Sequence, residues 1–298
     1  MFDYFANPSR FMRIANRLLL PLVIISLSTG AIGLYLGLFV APADYQQGDT
    51  VRIIYIHVPS AWLALFGYVG LGLCGLFYVV WRHPLADIAA RAIAPVGAVF
   101  ALLTLVTGSL WGKPMWGAWW VWDARLTSML ILFFFYLGFI ALANGFDRAE
   151  RGSRPAALLA LVGMINVPIV KFSVDWWNTL HQPASLLRSG GPTIDSSMLT
   201  PLVLTLIATH AYFAILVIAD ARAFDRAPPC CADAPPGRRL MAEFFDMGSF
   251  GNYIWGSYGF AVICLGWLNY ASWRKAKTIA EQLAILQAGT PASPKNSE

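Results

Sequence analysis

Charge is scarce in this chain of 298 residues. Only 12% of its residues are Asp, Glu, Lys or Arg, while 58% are hydrophobic; a water-soluble domain carries about a quarter charged residues. An ordinary soluble globular protein is thereby excluded, and lipid must supply part of the solvent. Cysteine is scarce too. The four cysteines form no C-x-x-C or C-x-x-C-H, which excludes a thioredoxin-like redox site and a c-type cytochrome attachment site. Cys74 and Cys264 fall in apolar stretches, and Cys230 and Cys231 are adjacent, too close for an ordinary disulfide. No Walker A sequence occurs, so an ATP-driven step requires a partner. The formal net charge of +5 comes from basic residues in loops beside apolar runs and does not indicate a nucleic-acid surface.

What the chain has instead is long apolar runs. A bilayer crossing takes roughly 20 apolar residues, and runs of about that length recur at Leu18–Val40, Val58–Trp81, Ile93–Leu110, Leu126–Gly145, Ala156–Phe172, Leu199–Ala219 and Tyr253–Trp273. In hydrocarbon the backbone must be hydrogen-bonded within each segment, so these are helices; a barrel would read as short alternating segments. The expected fold is all-α: a polytopic membrane bundle of six transmembrane helices plus a seventh span. Pro95 and Pro168 are candidates to kink the third and fifth helices. Ala41-Pro42-Ala43 resembles a signal-peptidase site, but the run before it is too long for a signal core, so an uncleaved first helix is expected.

Basic residues orient the bundle. Arg10, Arg13 and Arg17 precede the first helix and place the N-terminus in the cytoplasm. Arg82 and Arg91, then Arg148, Arg151 and Arg154, then Arg222 and Arg226 mark the loops after helices two, four and six as cytoplasmic. Parity then puts three segments on the outer face: the first loop ending at His57, the loop after helix three, and the loop containing His181.

The loop after helix three reads WGKPMWGAWWVWDARLTS from Trp111 to Ser128. Trp111, Trp116, Trp119, Trp120 and Trp122 crowd into it. An aromatic belt at the membrane interface accounts for scattered tryptophans such as Trp62, Trp81, Trp255, Trp267 and Trp273; this density instead indicates a flat apolar platform for a flat partner. Trp116, Trp119, Trp120 and Asp123 share i, i+3, i+4, i+7 spacing, which predicts a short helix lying on the membrane. Asp123 is equally well placed to cap the helix that follows, and the two roles are compatible.

Two outer-face histidines flank the platform in sequence. Neutral imidazole ligates iron, zinc and copper, and one imidazole on each side of a planar macrocycle would hold a haem iron. Arg52, Lys113, Arg125 and Arg188 are candidate cations for haem propionates. Zinc fits less well, because it takes three or four protein ligands. His83 lies at the cytoplasmic end. His210, deep in the sixth helix, is expected to make a helix–helix hydrogen bond.

WGxxWGxWWxWDxRLTS, together with IHVPSAW around His57 and WWNTLHQP around His181, resembles the WWD signature of the haem-handling proteins of cytochrome c maturation. Six helices of this length point to the CcmC family rather than to the longer CcmF or the related CcsA. The resemblance covers roughly residues 1–226 and implies haem b held at the outer face, with His57 and His181 as axial ligands and Trp116, Trp119, Trp120, Trp122, Asp123 and Arg125 around the ring. It further implies delivery of haem to the chaperone CcmE, in a complex with the ATPase CcmA and with CcmB, in a bacterial inner membrane.

From Met241 the sequence MAEFFDMGSFGNYIWGSYGFAVICLGWLNYASWRKAK resembles CcmD, a small single-span subunit. The Pro-rich segment 227–240 reads as a linker, giving a layout of 1–226, 227–240 and 241–298. Arg274, Lys275 and Lys277 after the last span favour a cytoplasmic end, which conflicts with an odd number of crossings on one uncut chain; Arg238 and Arg239 pull the other way. A natural fusion, an artificial joining and cleavage are all open.

Three other functions would leave different marks on the sequence. A transmembrane haem exporter would need a polar path or broken helices at mid-membrane. A structural anchor would use its tryptophans to bind protein. An enzyme is disfavoured, since Asp123, Asp175 and Asp195 are scattered and no nucleophile–base pair appears; promotion of covalent haem attachment to CcmE would rest on positioning alone.

Overall fold

The computed structural model describes residues 8–146, 149–182, 185–186 and 190–226, together with Arg274 and Lys277. The chain divides into two units, Met1–Ala242 and Glu243–Glu298. The CcmD-like span expected at Tyr253–Trp273, the linker and Arg188 lie outside the described residues.

Among the described residues the chain is helical: α1 Pro8–Tyr35, running into a π turn at Leu36–Val40; a 3-10 turn at Asp49–Ile53; α2 Ile54–Trp81; α3 Pro84–Trp116; α4 Ala124–Asn144; α5 Ala149–Met164; α6 Asn166–Trp176; and α7 Ser196–Arg226. Six helical stretches are long and apolar enough to cross a membrane: Arg13–Val40, Asp49–Trp81, Pro84–Trp116, Ala124–Asn144, Glu150–Trp176 and Ser196–Arg222. They match the six N-terminal runs expected from sequence but extend beyond them. Extension of α3 to Trp116 puts Trp111 and Trp116 on a helix rather than in a loop, and α2 takes in His57.

The fifth span breaks at Ile165, between α5 and α6. Pro168 has no N–H to give the Met164 carbonyl, and its ring crowds that carbonyl, so the helix cannot run through. Asn166 uses the break, donating from Nδ2 to the Ser128 carbonyl at 2.8 Å. Pro95, by contrast, sits inside an unbroken α3.

The core lies among α2, α3, α4 and α5. Fully buried Tyr136 reaches from α4 and donates to the Ala64 carbonyl at 2.8 Å. Its ring occupies space that only glycine leaves: a Cβ on Gly97 would come within 2.4 Å of it. α1 packs along α7, where Ser26 Oγ donates to the Ala208 carbonyl at 3.0 Å. Small residues there let the backbones approach, as lipid-embedded helices require. At the end of the bundle that holds the start of α3, Arg91 clasps three helices. It meets Asp87 at 3.0 Å, the Ala143 carbonyl at 2.9 Å and Ser153 Oγ at 3.0 Å, and Ser153 in turn donates to Asp87 at 2.9 Å. His210 donates from Nδ1 to Leu206 of its own helix at 2.7 Å, not across helices as expected.

Candidate functional site: an indole-walled cavity between two histidines

At the other end of the bundle a cavity of about 580 Å³ opens between α2, the end of α3, α6 and the segment after α6. Its floor and sides are apolar, with Leu65, Leu105, Met129, Val167 and Val170 among them, and its indole walls are Trp62, Trp111, Trp116 and Trp120. His57 and His181 both line it.

His57 stands in the first turns of α2, 9% exposed. Gly108 on α3 makes room for it, since a Cβ there would lie 3.2 Å from His57 Cε1. Nδ1 of His57 meets Thr107 Oγ1 at 2.9 Å. Trp111 presents an edge to the ring, with centres 5.6 Å apart and planes at 78°, and is itself fixed by donation from Nε1 to Gln47 Oε1 at 2.9 Å.

His181 arrives from the segment after α6. Its ring centre lies 6.5 Å from that of His57, with planes inclined by 32°, and 6.4 Å from Trp116. Nδ1 of His181 is 3.0 Å from the Gln182 carbonyl and 3.4 Å from an Arg125 guanidinium nitrogen. A carbonyl only accepts, so the shorter contact puts the hydrogen on Nδ1 and leaves the lone pair on Nε2. Burial, then the Arg125 charge, hold the His181 pKa below its ordinary 6.5 and keep the ring neutral.

Arg125 is anchored by Ser173 Oγ at 3.1 Å and the Lys171 carbonyl at 3.1 Å, and lines the cavity beside Lys171. Of the other candidate cations, Arg52 is committed elsewhere. It binds Asp49 at 3.3 Å and the Gly37 and Leu38 carbonyls, which the π turn leaves free. Lys113 donates to the Gly117 carbonyl at 3.0 Å and does not line the cavity.

The tryptophan segment is not the short surface helix that its spacing predicts. Gly117, at φ 76°, ends α3, and residues 117–123 run without helix until Ala124. Positive φ is open to glycine and costly for other residues. Trp119, Trp120 and Trp122 all follow the turn, in the non-helical run, yet only one of them turns inward. Trp116 and Trp120 face the cavity, whereas Trp119 and Trp122 are 56% and 75% exposed and do not line it. Asp123 is the N-cap of α4, accepting from the Leu126 N–H at 2.8 Å, and does not line the cavity either. Its Oδ2 and the Trp120 indole N–H are buried without a partner among the described residues.

Sequence reasoning missed Gln47, Thr107, Gly108 and Lys171. It assigned Trp62 to an interfacial belt, although that ring lines the cavity at 38% exposure. The spacing of Thr107, Gly108 and Trp111 at one end of a single helix is visible in the sequence, but which neighbour they face is not.

Comparison with known proteins gives the family. Residues 1–225 match the family model for CcmC, heme exporter protein C, and residues 248–288 match the model for CcmD, heme exporter protein D. Heme exporter protein C of Bradyrhizobium diazoefficiens is 55% identical over 217 residues, covering 73% of this chain and 82% of that protein. The Escherichia coli K12 protein of the same name is 46% identical over 197 residues, covering 66% and 79%. A ccmC-like mitochondrial protein of cytochrome c biosynthesis in Marchantia polymorpha is 46% identical over 192 residues, covering 64% and 81%. The chain belongs to the CcmC family of heme exporter proteins in cytochrome c biogenesis and carries a CcmD-like segment after it.

Proposed function

We propose that the cavity binds haem b as cargo, with His57 and His181 as the two axial ligands, and presents it to the chaperone CcmE. One observation carries this reading: two imidazole centres stand 6.5 Å apart across an apolar, indole-walled space. Two nitrogen–metal bonds of about 2.0 Å each take up about 4 Å of that distance. The remainder, about 2.5 Å, would accommodate the span from each ring centre to its own nitrogen were the two nitrogens to face one another. Among the described residues no three His, Cys, Asp or Glu side chains gather into a cluster. A metal that brings its own in-plane donors therefore suits the pair better than bare zinc.

The other side chains divide the work. Trp111, Trp116 and Trp120 cover the ring faces; Arg125 and Lys171 supply positive charge for the propionates, and the unpartnered Trp120 N–H supplies a further donor. Exposed Trp119 and Trp122 stand outside the cavity, where CcmE would approach. Asp123 holds the start of α4, and so Arg125, in place. We place this face in the periplasm of the bacterial inner membrane with the N-terminus in the cytoplasm, and assign CcmA and CcmB as partners, residues 227–240 as linker and 241–298 as a CcmD-like subunit in cis. Attachment of haem to CcmE would be promoted by positioning alone. The purified full-length chain is expected to take up haem with a low-spin, six-coordinate spectrum; failure to retain haem would favour a structural anchor.

The exporter reading draws support from one observation. The cavity lining reaches Val69, about 18 Å along α2 from His57 at 1.5 Å per residue, and includes Trp62 and Phe66 on the outer flank of the bundle. Vesicles loaded with haem on one side would separate movement across the membrane from binding at one face.

A further inference from the structure

His57 is set differently from His181, and the difference lies in Thr107. Nδ1 of His57 is 2.9 Å from Thr107 Oγ1, and both residues are buried. Thr107 has a single hydroxyl proton. Its Oγ1 also stands 2.6 Å from the Leu103 carbonyl, one turn back on α3, and 3.3 Å from the Thr104 carbonyl. Two oxygens at 2.6 Å repel one another unless a proton lies between them. The hydroxyl proton is therefore spent on Leu103, and toward His57 the oxygen offers only lone pairs. Nδ1 must carry the hydrogen, and the lone pair is left on Nε2.

We propose, resting on the haem-ligation reading above, that Thr107 is a positioning residue that selects the His57 tautomer, so that Nε2 alone can bind iron. The helix makes the selection rigid, because rotating the hydroxyl to serve the other tautomer would break its bond to Leu103. Donation from Nδ1 to this hydroxyl also fixes the ring's rotation and increases electron donation from Nε2. His181 reaches the same tautomer through the carbonyl of its own neighbour, Gln182, in an exposed segment. The iron would thus have one ligand held by the helical core and one held by a loop.

Two measurements test this on the full-length chain. The first needs no haem: nitrogen NMR of histidine-labelled protein, with the His57 signals assigned by their loss in His57→Ala. Protonation at Nδ1 is expected; protonation at Nε2 overturns the proposal. The second compares Thr107→Val and Thr107→Ser in the haem-loaded protein. Valine keeps the shape and removes the hydroxyl acceptor, leaving His57 only the backbone of Thr104, so haem affinity should fall by roughly 10- to 100-fold and the reduction potential should become more positive. Serine should restore both, which a purely packing role would not produce. Wild-type affinity and potential in Thr107→Val would overturn the proposal. If Thr107→Val does not fold, the tautomer measurement decides by itself. If His57→Ala keeps the wild-type haem spectrum, the ligation reading fails, while the tautomer result, read without haem, is unaffected.

Discussion

The rings of His57 and His181 lie 6.5 Å apart, although one belongs to the first turns of α2 and the other to the segment following α6. Neither position is local to the other, and the bundle brings them together by packing α2 against α3 and α4 against α6. Both rings line the apolar cavity that opens at this end of the bundle.

The tryptophans should not be equivalent. Trp116 and Trp120 line the cavity, whereas Trp119 and Trp122 do not. Trp116→Ala or Trp120→Ala removes buried ring contact, and haem affinity should fall on the order of tenfold or more. Trp119→Ala and Trp122→Ala should leave haem binding by the purified protein near wild type and reduce transfer to CcmE. Haem titration of the four variants, followed by a transfer assay, checks both halves.

Gly117 ends α3 and starts the non-helical run that carries Trp119, Trp120 and Trp122. Its φ of 76° is penalised in any residue with a β-carbon. Gly117→Val should cost about 1–2 kcal/mol, relieved by moving Trp119 and Trp120 from their places. Haem content should drop while helix content by circular dichroism remains that of the wild type.

The effect of pH follows from His181. Iron binds the neutral imidazole, and burial with the Arg125 charge holds the His181 pKa below 6.5. Haem uptake should therefore stay level as pH falls from about 7.5 to the ordinary imidazole value of 6.5 and fail only in more acid solution. The folded chain binds fewer protons here than the unfolded chain. The stability cost of keeping the ring neutral therefore appears as pH falls below the unfolded value and stops growing below the folded one. Arg125→Gln removes one of the two depressing causes, so uptake should begin to fail at higher pH. A haem titration at several pH values in both proteins reads this directly.

The Arg91 clasp lies at the other end of the bundle and should affect stability alone. Asp87→Ala removes a charged hydrogen-bond partner from a largely buried guanidinium, at a cost on the order of 2 kcal/mol. Thermal unfolding should shift downward, with the spectrum of the haem-loaded protein unchanged.

Six of the spans were legible from hydropathy, because lipid forces each apolar run to satisfy its own backbone. So was the gathering of His57, the tryptophans and His181 at one end, because parity alone puts alternate loops on one face. Legibility ended where neighbours decide the outcome. The i, i+3, i+4, i+7 spacing of Trp116, Trp119, Trp120 and Asp123 predicts a helix, but the left-handed Gly117 ends α3 at that point. Arg52 reads as a free outer cation, yet the carbonyls of the π turn claim it. Thr107 gave no signal, since a threonine in an apolar helix ordinarily bonds only its own preceding turn; its second partner comes from another helix.

The most direct measurement is the absorption spectrum of the purified chain with each imidazole removed in turn. His57→Ala and His181→Ala should each lose the low-spin six-coordinate spectrum, and added imidazole should restore it by filling the vacated position. An unaltered low-spin spectrum in both variants would contradict axial ligation by this pair.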